Sequence, residues 1–96
     1  RTPLAPNLPT VAESGVPGYA FDSWWGLVTN AAVPPAIVTT LYNETRRVLA
    51  LPDVKERFAD LGIDVTASTQ AELIAFSRAE IERFAKVIRD TGIKAE

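Results

Sequence analysis

Trp24 and Trp25, followed by Gly26, are the residues of this 96-residue chain best suited to meeting a ligand. Indole rings line many clefts, and a glycine beside them lets a ligand or a backbone come close. The plainer reading makes both rings core residues on opposite faces of a strand, since large aromatics usually fill cores. Asp22 is the odd residue out, a carboxylate on an otherwise apolar strand face. Buried, it would need a partner or a raised pKa, which sometimes marks a functional group. At a strand end in water it needs neither, and Asp is rarely fully buried. Glu13 and Glu72 each follow a threonine by three residues, Thr10 and Thr69, which is the spacing of a capping box and leaves no need for a catalytic role. Paired carboxylates for glycoside chemistry can be picked from any acidic chain of this length, and nothing in the sequence places two of them in one cleft.

The chemistry is bounded more firmly by what is missing. The sequence holds no His, Cys or Met. It therefore lacks disulfides, a thiolate nucleophile, an imidazole base and a zinc site of the usual kind. Catalysis would rest on carboxylates, Lys, Tyr or Ser alone, and no catalytic residue, metal site or cofactor is expected. Ten basic and 12 acidic residues, with a pI of about 5.1, argue against nucleic acid, whose partners carry a basic face. Prolines or charges interrupt every apolar run before it reaches the roughly 20 residues that cross a bilayer. With 47% hydrophobic and 23% charged residues the composition is globular. A chain of this size buries only about 60 to 65% of its extended surface, so its stability is in question. It opens at Arg1 with neither an initiator Met nor a signal peptide, and the expectation is a truncated piece, a proteolytic remnant or a mature C-terminal part rather than a whole gene product.

The elements that position these residues follow from local signals. Three prolines make residues 1–9 an extended lead-in. Thr10 to Glu13 predicts a short helix stopped by Gly15, and Val16-Pro17-Gly18 is a turn. Tyr19 to Val28 predicts a strand with Phe21, Trp25 and Leu27 on one face and Ala20, Trp24 and Val28 on the other. Apolar on both sides, it suits the middle of a sheet covered by helices front and back, the pattern of an α/β protein. Pro35 should begin a helix reaching about Ala50, with Ile37, Val38, Leu41, Val48 and Leu49 inward. Pro52 starts a second helix, with Val54, Phe58 and Leu61 inward and Gly62 closing it. Ile63 and Val65 suggest a short strand over 63–66 at a sheet edge. Thr69 to Glu72 opens the longest helix, to about Thr91, with Leu73, Phe76, Ile81, Phe84, Val87 and Ile88 as its stripe and a Glu82 to Lys86 ion pair outside. Gly92 ends it, and Ile93 should pack back on the last turn.

The order of these motifs is familiar. Leu8-Pro9-Thr10-Val11-Ala12-Glu13-Ser14-Gly15, Pro17-Gly18-Tyr19, Ser23-Trp24-Trp25-Gly26-Leu27, Pro35 with Ile37-Val38, Leu51-Pro52-Asp53-Val54, Leu61-Gly62 and the Ile93-Lys94 tail resemble the C-terminal third of Bug-type extracytoplasmic solute-binding proteins. These are the receptors of tripartite tricarboxylate transporters. The resemblance implies a periplasmic receptor of two α/β lobes, of which residues 1–96 form a single C-terminal segment. Residues 1–18 would be lead-in and short helix, 19–30 strand and hinge, and 35–92 helical cover with a short strand near 63–66. It implies a small carboxylate as ligand, a di- or tricarboxylate or an acidic amino acid, and transporter membrane components as partners. Ser23 and Trp24, at the crossing between lobes, are then the residues nearest the ligand. The family's glycine-bearing turn after the strand is replaced here by Thr29 to Pro34, which keeps the proline but not the glycine.

Two other classes compete. A free-standing helical module would dock its long amphipathic helix on a partner. A small carboxylate-dependent hydrolase would need Asp22 and Glu13, or a similar pair, in one pocket. A severed α/β segment should also self-associate, for example by exchanging its terminal helix between copies.

Overall fold

Pro35 and Pro52 begin two of the three helices, because a residue without an amide hydrogen loses nothing in a first turn. The computed structural model describes residues 1–94 and contains α1 (Pro35–Leu49), α2 (Pro52–Asp60) and α3 (Gln70–Thr91). α1 carries Arg46 and Arg47 in its last turn, where the helix dipole favours cations. α2 ends in a complete Schellman motif. The Ile63 amide donates to the Phe58 carbonyl and the Gly62 amide to the Ala59 carbonyl, both at 2.9 Å, with Gly62 at φ +72°. Phe58 and Ile63, the pair that this motif brings together, are both half-buried. α3 opens on the predicted capping box: the Glu72 amide donates to Thr69 Oγ1 at 3.2 Å and the Thr69 amide to Glu72 Oε2 at 2.8 Å. It closes on left-handed Gly92, whose amide donates to Ile88.

Four expectations need correction. The short N-terminal helix is a single turn, with Ser14 bonded back to Thr10 at 3.0 Å; its capping box forms, but Gly15 stops it before a second turn. Neither strand forms among the described residues: 19–30 and 63–66 have no ladder partner, so the α/β sheet is not assembled. Ile63 and Val65 still alternate as half-buried against exposed neighbours, which is what a strand face requires. Lys86 pairs with Asp90 rather than with Glu82. Ile93 is exposed instead of folded back on α3.

The packing is open. α1 and α2 pack on each other, and α3 packs on neither. Thr2 ties the lead-in to the loop after α2 through Asp64, at 3.2 Å. No described residue is fully buried. The accessible surface is 8254 Å², roughly one and a half times the value of about 5,400 Å² that a folded monomer of this mass presents. The radius of gyration is 16.8 Å, against about 12.5 Å for a compact domain of this length. The half-buried residues of α1 are Val38, Tyr42, Thr45 and Leu49, so Ile37, Leu41 and Val48 of the expected stripe stay exposed. On α3, Leu73 and Phe84 are half-buried while Phe76, Ile81, Val87 and Ile88 are exposed. These stripes are apolar as read, but they are covered only in part.

Because α3 depends on its cap, Thr69→Ala should lower stability by about 1 kcal/mol and Thr69→Ser by much less. Urea unfolding of the longest native chain carrying this sequence, followed by circular dichroism, measures both.

Candidate functional site

The tryptophan segment lies along α3. Phe21 meets Phe84 edge to face with ring centroids 6.2 Å apart. Trp24 meets Phe76 in the same way at 5.2 Å, and Gly26 sits against Leu73. The segment therefore runs antiparallel to the helix. From Phe84 back to Leu73 the helix axis spans about 16 Å, and from Phe21 to Gly26 a fully extended chain spans about 16 Å as well. The agreement leaves no slack, so these residues are extended even without a ladder. The two faces do not separate as the alternation predicts: Phe21 and Trp24, expected on opposite faces, both meet α3, and Val28, expected beside Trp24, is 84% exposed. Trp24 turns to α3 and is 43% exposed, whereas Trp25 and Leu27 turn away and are 75% and 72% exposed.

Arg83 holds the start of this segment. Its Nε and Nη2 donate to the two carboxylate oxygens of Glu80 at 2.9 and 2.6 Å. Its Nη1 donates to the Ala20 carbonyl, and its guanidinium carbon lies 4.7 Å from the centroid of the Phe84 ring. The Arg83 fork holds the Glu80 carboxyl below its usual range. In return Glu80, with a smaller contribution from Asp22, holds the guanidinium further above its own. Asp22 is exposed and adds field beside Arg83, as a carboxylate in water can. The sequence pattern of α3 does not single out Arg83. The local signal was the Glu80 and Phe84 pair around it; the Ala20 contact, 63 residues away in sequence, left none.

A cleft of about 360 Å³ is lined by residues 25–29, one face of α1, residues 66–69, and Gln70 and Leu73 of α3. Arg46 is its cation and donates to the Tyr42 hydroxyl at 3.3 Å. Trp25 and Gly26 line it; Ser23 and Trp24 do not, the first being exposed and the second engaged with Phe76. Tyr42 and Thr45 are half-buried polar members of the α1 wall that the apolar count passed over. Among the described residues no group of acidic side chains could hold a metal ion. Among the described residues no helix is long and apolar enough to cross a membrane.

Glu13, the other carboxylate considered for chemistry, is occupied structurally. It accepts from the Thr10 amide at 2.8 Å and pairs with Arg1 at 3.0 Å, and these contacts, in that order, hold its carboxyl below the usual range.

Comparison with known proteins settles the family. The sequence profile described as "Tripartite tricarboxylate transporter family receptor" matches residues 1–93. The chain belongs to that family. It is 32% identical over 96 residues to the UPF0065 protein in the tcbD-tcbE intergenic region of Pseudomonas sp. (strain P51), covering 99% of this chain and 29% of that one. Protein BugT of Bordetella pertussis is 32% identical over 94 residues, 98% of this chain and 29% of its own length. A UPF0065 protein in the TAR-I ttuE-ttuC' intergenic region of Agrobacterium vitis is 36% identical over 95 residues, 96% of this chain and 28% of its own. No solved structure matches. The chain thus spans less than a third of the length of these relatives. Its family is one of solute-binding receptors rather than enzymes.

Two outcomes follow from this geometry. A Cβ on Gly26 would stand 3.2 Å from Leu73 Cδ2, the movable end of a side chain. Gly26→Ala should therefore change stability by less than about 1 kcal/mol, while Gly26→Val should cost about 1–3 kcal/mol by overpacking; urea midpoints distinguish them. Glu13 and Glu80 have folded pKa values below their unfolded ones. Their contribution is present above the usual carboxylate range and is lost as pH falls through and below it. Urea midpoints recorded from about pH 7 down to about pH 3 should fall, and should fall less steeply in Glu13→Gln and Glu80→Gln.

Proposed function

We propose that this chain is the C-terminal segment of a two-lobed periplasmic receptor. The receptor binds a small carboxylate, a di- or tricarboxylate or an acidic amino acid, and delivers it to the membrane components of a tripartite tricarboxylate transporter. The observation that carries this reading is the family match across residues 1–93 in a chain less than a third as long as its relatives. The open packing supports it. A standard protein interface covers only about 800 Å² per partner, and the surface here exceeds that of a compact domain by several times that area. Cover on this scale suits the remainder of a receptor better than a small docked partner. In this reading residues 19–30 cross between lobes and bring Ser23 and Trp24 nearest the ligand, and the cover supplies the strands that complete an α/β sheet. The segment adds scaffold and hinge and performs no reaction.

The same bare surface makes the segment alone prone to self-association, and exchange of α3 between copies is the cheapest route to it.

Isothermal titration of the longest native chain carrying this sequence with citrate, succinate and glutamate should show saturable binding of at least one, while residues 1–96 alone bind none tightly. Absence of carboxylate binding in the longer chain, or tight citrate binding by the segment, overturns the reading. Sedimentation of the segment should show mass rising with concentration; a monomer at every concentration removes the self-association.

A further inference from the structure

The contacts of Arg83 make one arrangement. Its fork is fixed on one side by both oxygens of Glu80, a residue of the same helix three positions earlier. Its plane rests on Phe84, and its remaining donor reaches across to the Ala20 carbonyl of the extended segment. Phe21, the next residue of that segment, packs edge to face on the same Phe84 ring. Arg83 is half-buried although its neighbours in the segment are all exposed. An arginine is suited to this because its five donors lie in one plane and its charge is permanent, so one group can pair, stack and reach at once. A surface ion pair alone contributes little to stability. What distinguishes this one is that the Glu80 pair aims the guanidinium at a backbone group far away in sequence.

We infer that Arg83 is a clasp that fastens the extended segment 20–24 to α3 and thereby positions Ser23 and Trp24. Three features place the control there. The segment has no ladder, and in the described residues its grip on α3 includes two aromatic contacts, the Gly26 seat on Leu73 and the Arg83 bond. The Arg83 bond is the polar member of that set and holds the end from which Ser23 and Trp24 follow. The grip is also one-sided, since Trp25 and Leu27 face away from α3, so release at Ala20 frees Trp24 to leave Phe76. That fixing this segment sets the ligand-facing residues of a receptor rests on the receptor reading; that Arg83 fastens it does not.

The test uses the longest native chain carrying this sequence, labelled with 5-fluorotryptophan, with the Trp24 fluorine resonance assigned by its loss in Trp24→Phe. Arg83→Ala should move that resonance toward the position of free 5-fluorotryptophan in water and sharpen it, with the helical circular dichroism retained. Arg78→Ala, which removes the same charge from the same helix, should leave it in place. Arg83→Lys keeps the charge without the planar fork and should restore the resonance only in part. Glu80→Gln, which weakens the aiming pair without touching the segment, should shift it in the same direction, and it serves as the measurement should Arg83→Ala not fold. A Trp24 resonance in Arg83→Ala or Glu80→Gln that matches Arg78→Ala overturns the clasp, as does full restoration by lysine. Citrate titration of the unsubstituted chain separates the two ideas. Absent carboxylate binding beside a shifted Trp24 resonance fails the receptor reading alone, and intact binding beside an unmoved resonance fails the clasp alone.

Discussion

An extended chain cannot satisfy its own backbone, and the rest of this structure depends on that constraint. A helix closes its hydrogen bonds within itself, so α1, α2 and α3 form completely from local sequence. Residues 19–30 have no such recourse. Within the described residues their backbone bonds are few: the Tyr19 amide to Val16 behind, the Asn30 carbonyl to the Val33 amide ahead, and Arg83 at Ala20. The segment consequently lies against α3 through side chains, and its free edges remain available for strands that only more chain could bring. The large surface and the expanded radius follow from the same cause. Helices that would cover the two faces of a sheet have no sheet to cover.

α3 shows this most directly. One side takes Phe21, Trp24 and Gly26. Ile74, Ile81 and Ile88, seven residues apart and therefore in one row, are 52%, 68% and 50% exposed. A helix apolar on more than one side belongs to the inside of a larger body.

How much was legible in the sequence tracks how far each interaction reaches along the chain. Pro35, Pro52, Gly62, Thr69 with Glu72, and Gly92 set their helix ends through bonds to residues at most five positions away, and each stands where the sequence put it. Thr10 with Glu13 formed its box too, yet a cap cannot extend a helix that Gly15 and Pro17 stop. The extension of 21–26 and the alternation of Ile63 and Val65 were legible because they are properties of a single strand; pairing is a property of two. Arg83 was missed because Ala20 lies 63 residues away. Tyr42 and Thr45 were missed because the wall they share with Arg46 exists only once α1 faces residues 25–29. The family, by contrast, was legible outright, since it rests on the order of short phrases and not on the fold they build.

The locality of the bonding also orders events in time. Helical turns form in well under a microsecond, and hairpin-scale contacts take microseconds. The caps here lie next to the turns they stabilise, whereas the contacts of Arg83 with Ala20 and of Thr2 with Asp64 close loops of 63 and 62 residues. Both contacts bring the first quarter of the chain onto elements made afterwards by a ribosome. Phe21 and Trp24 therefore stay without their α3 partners until α3 has been synthesised.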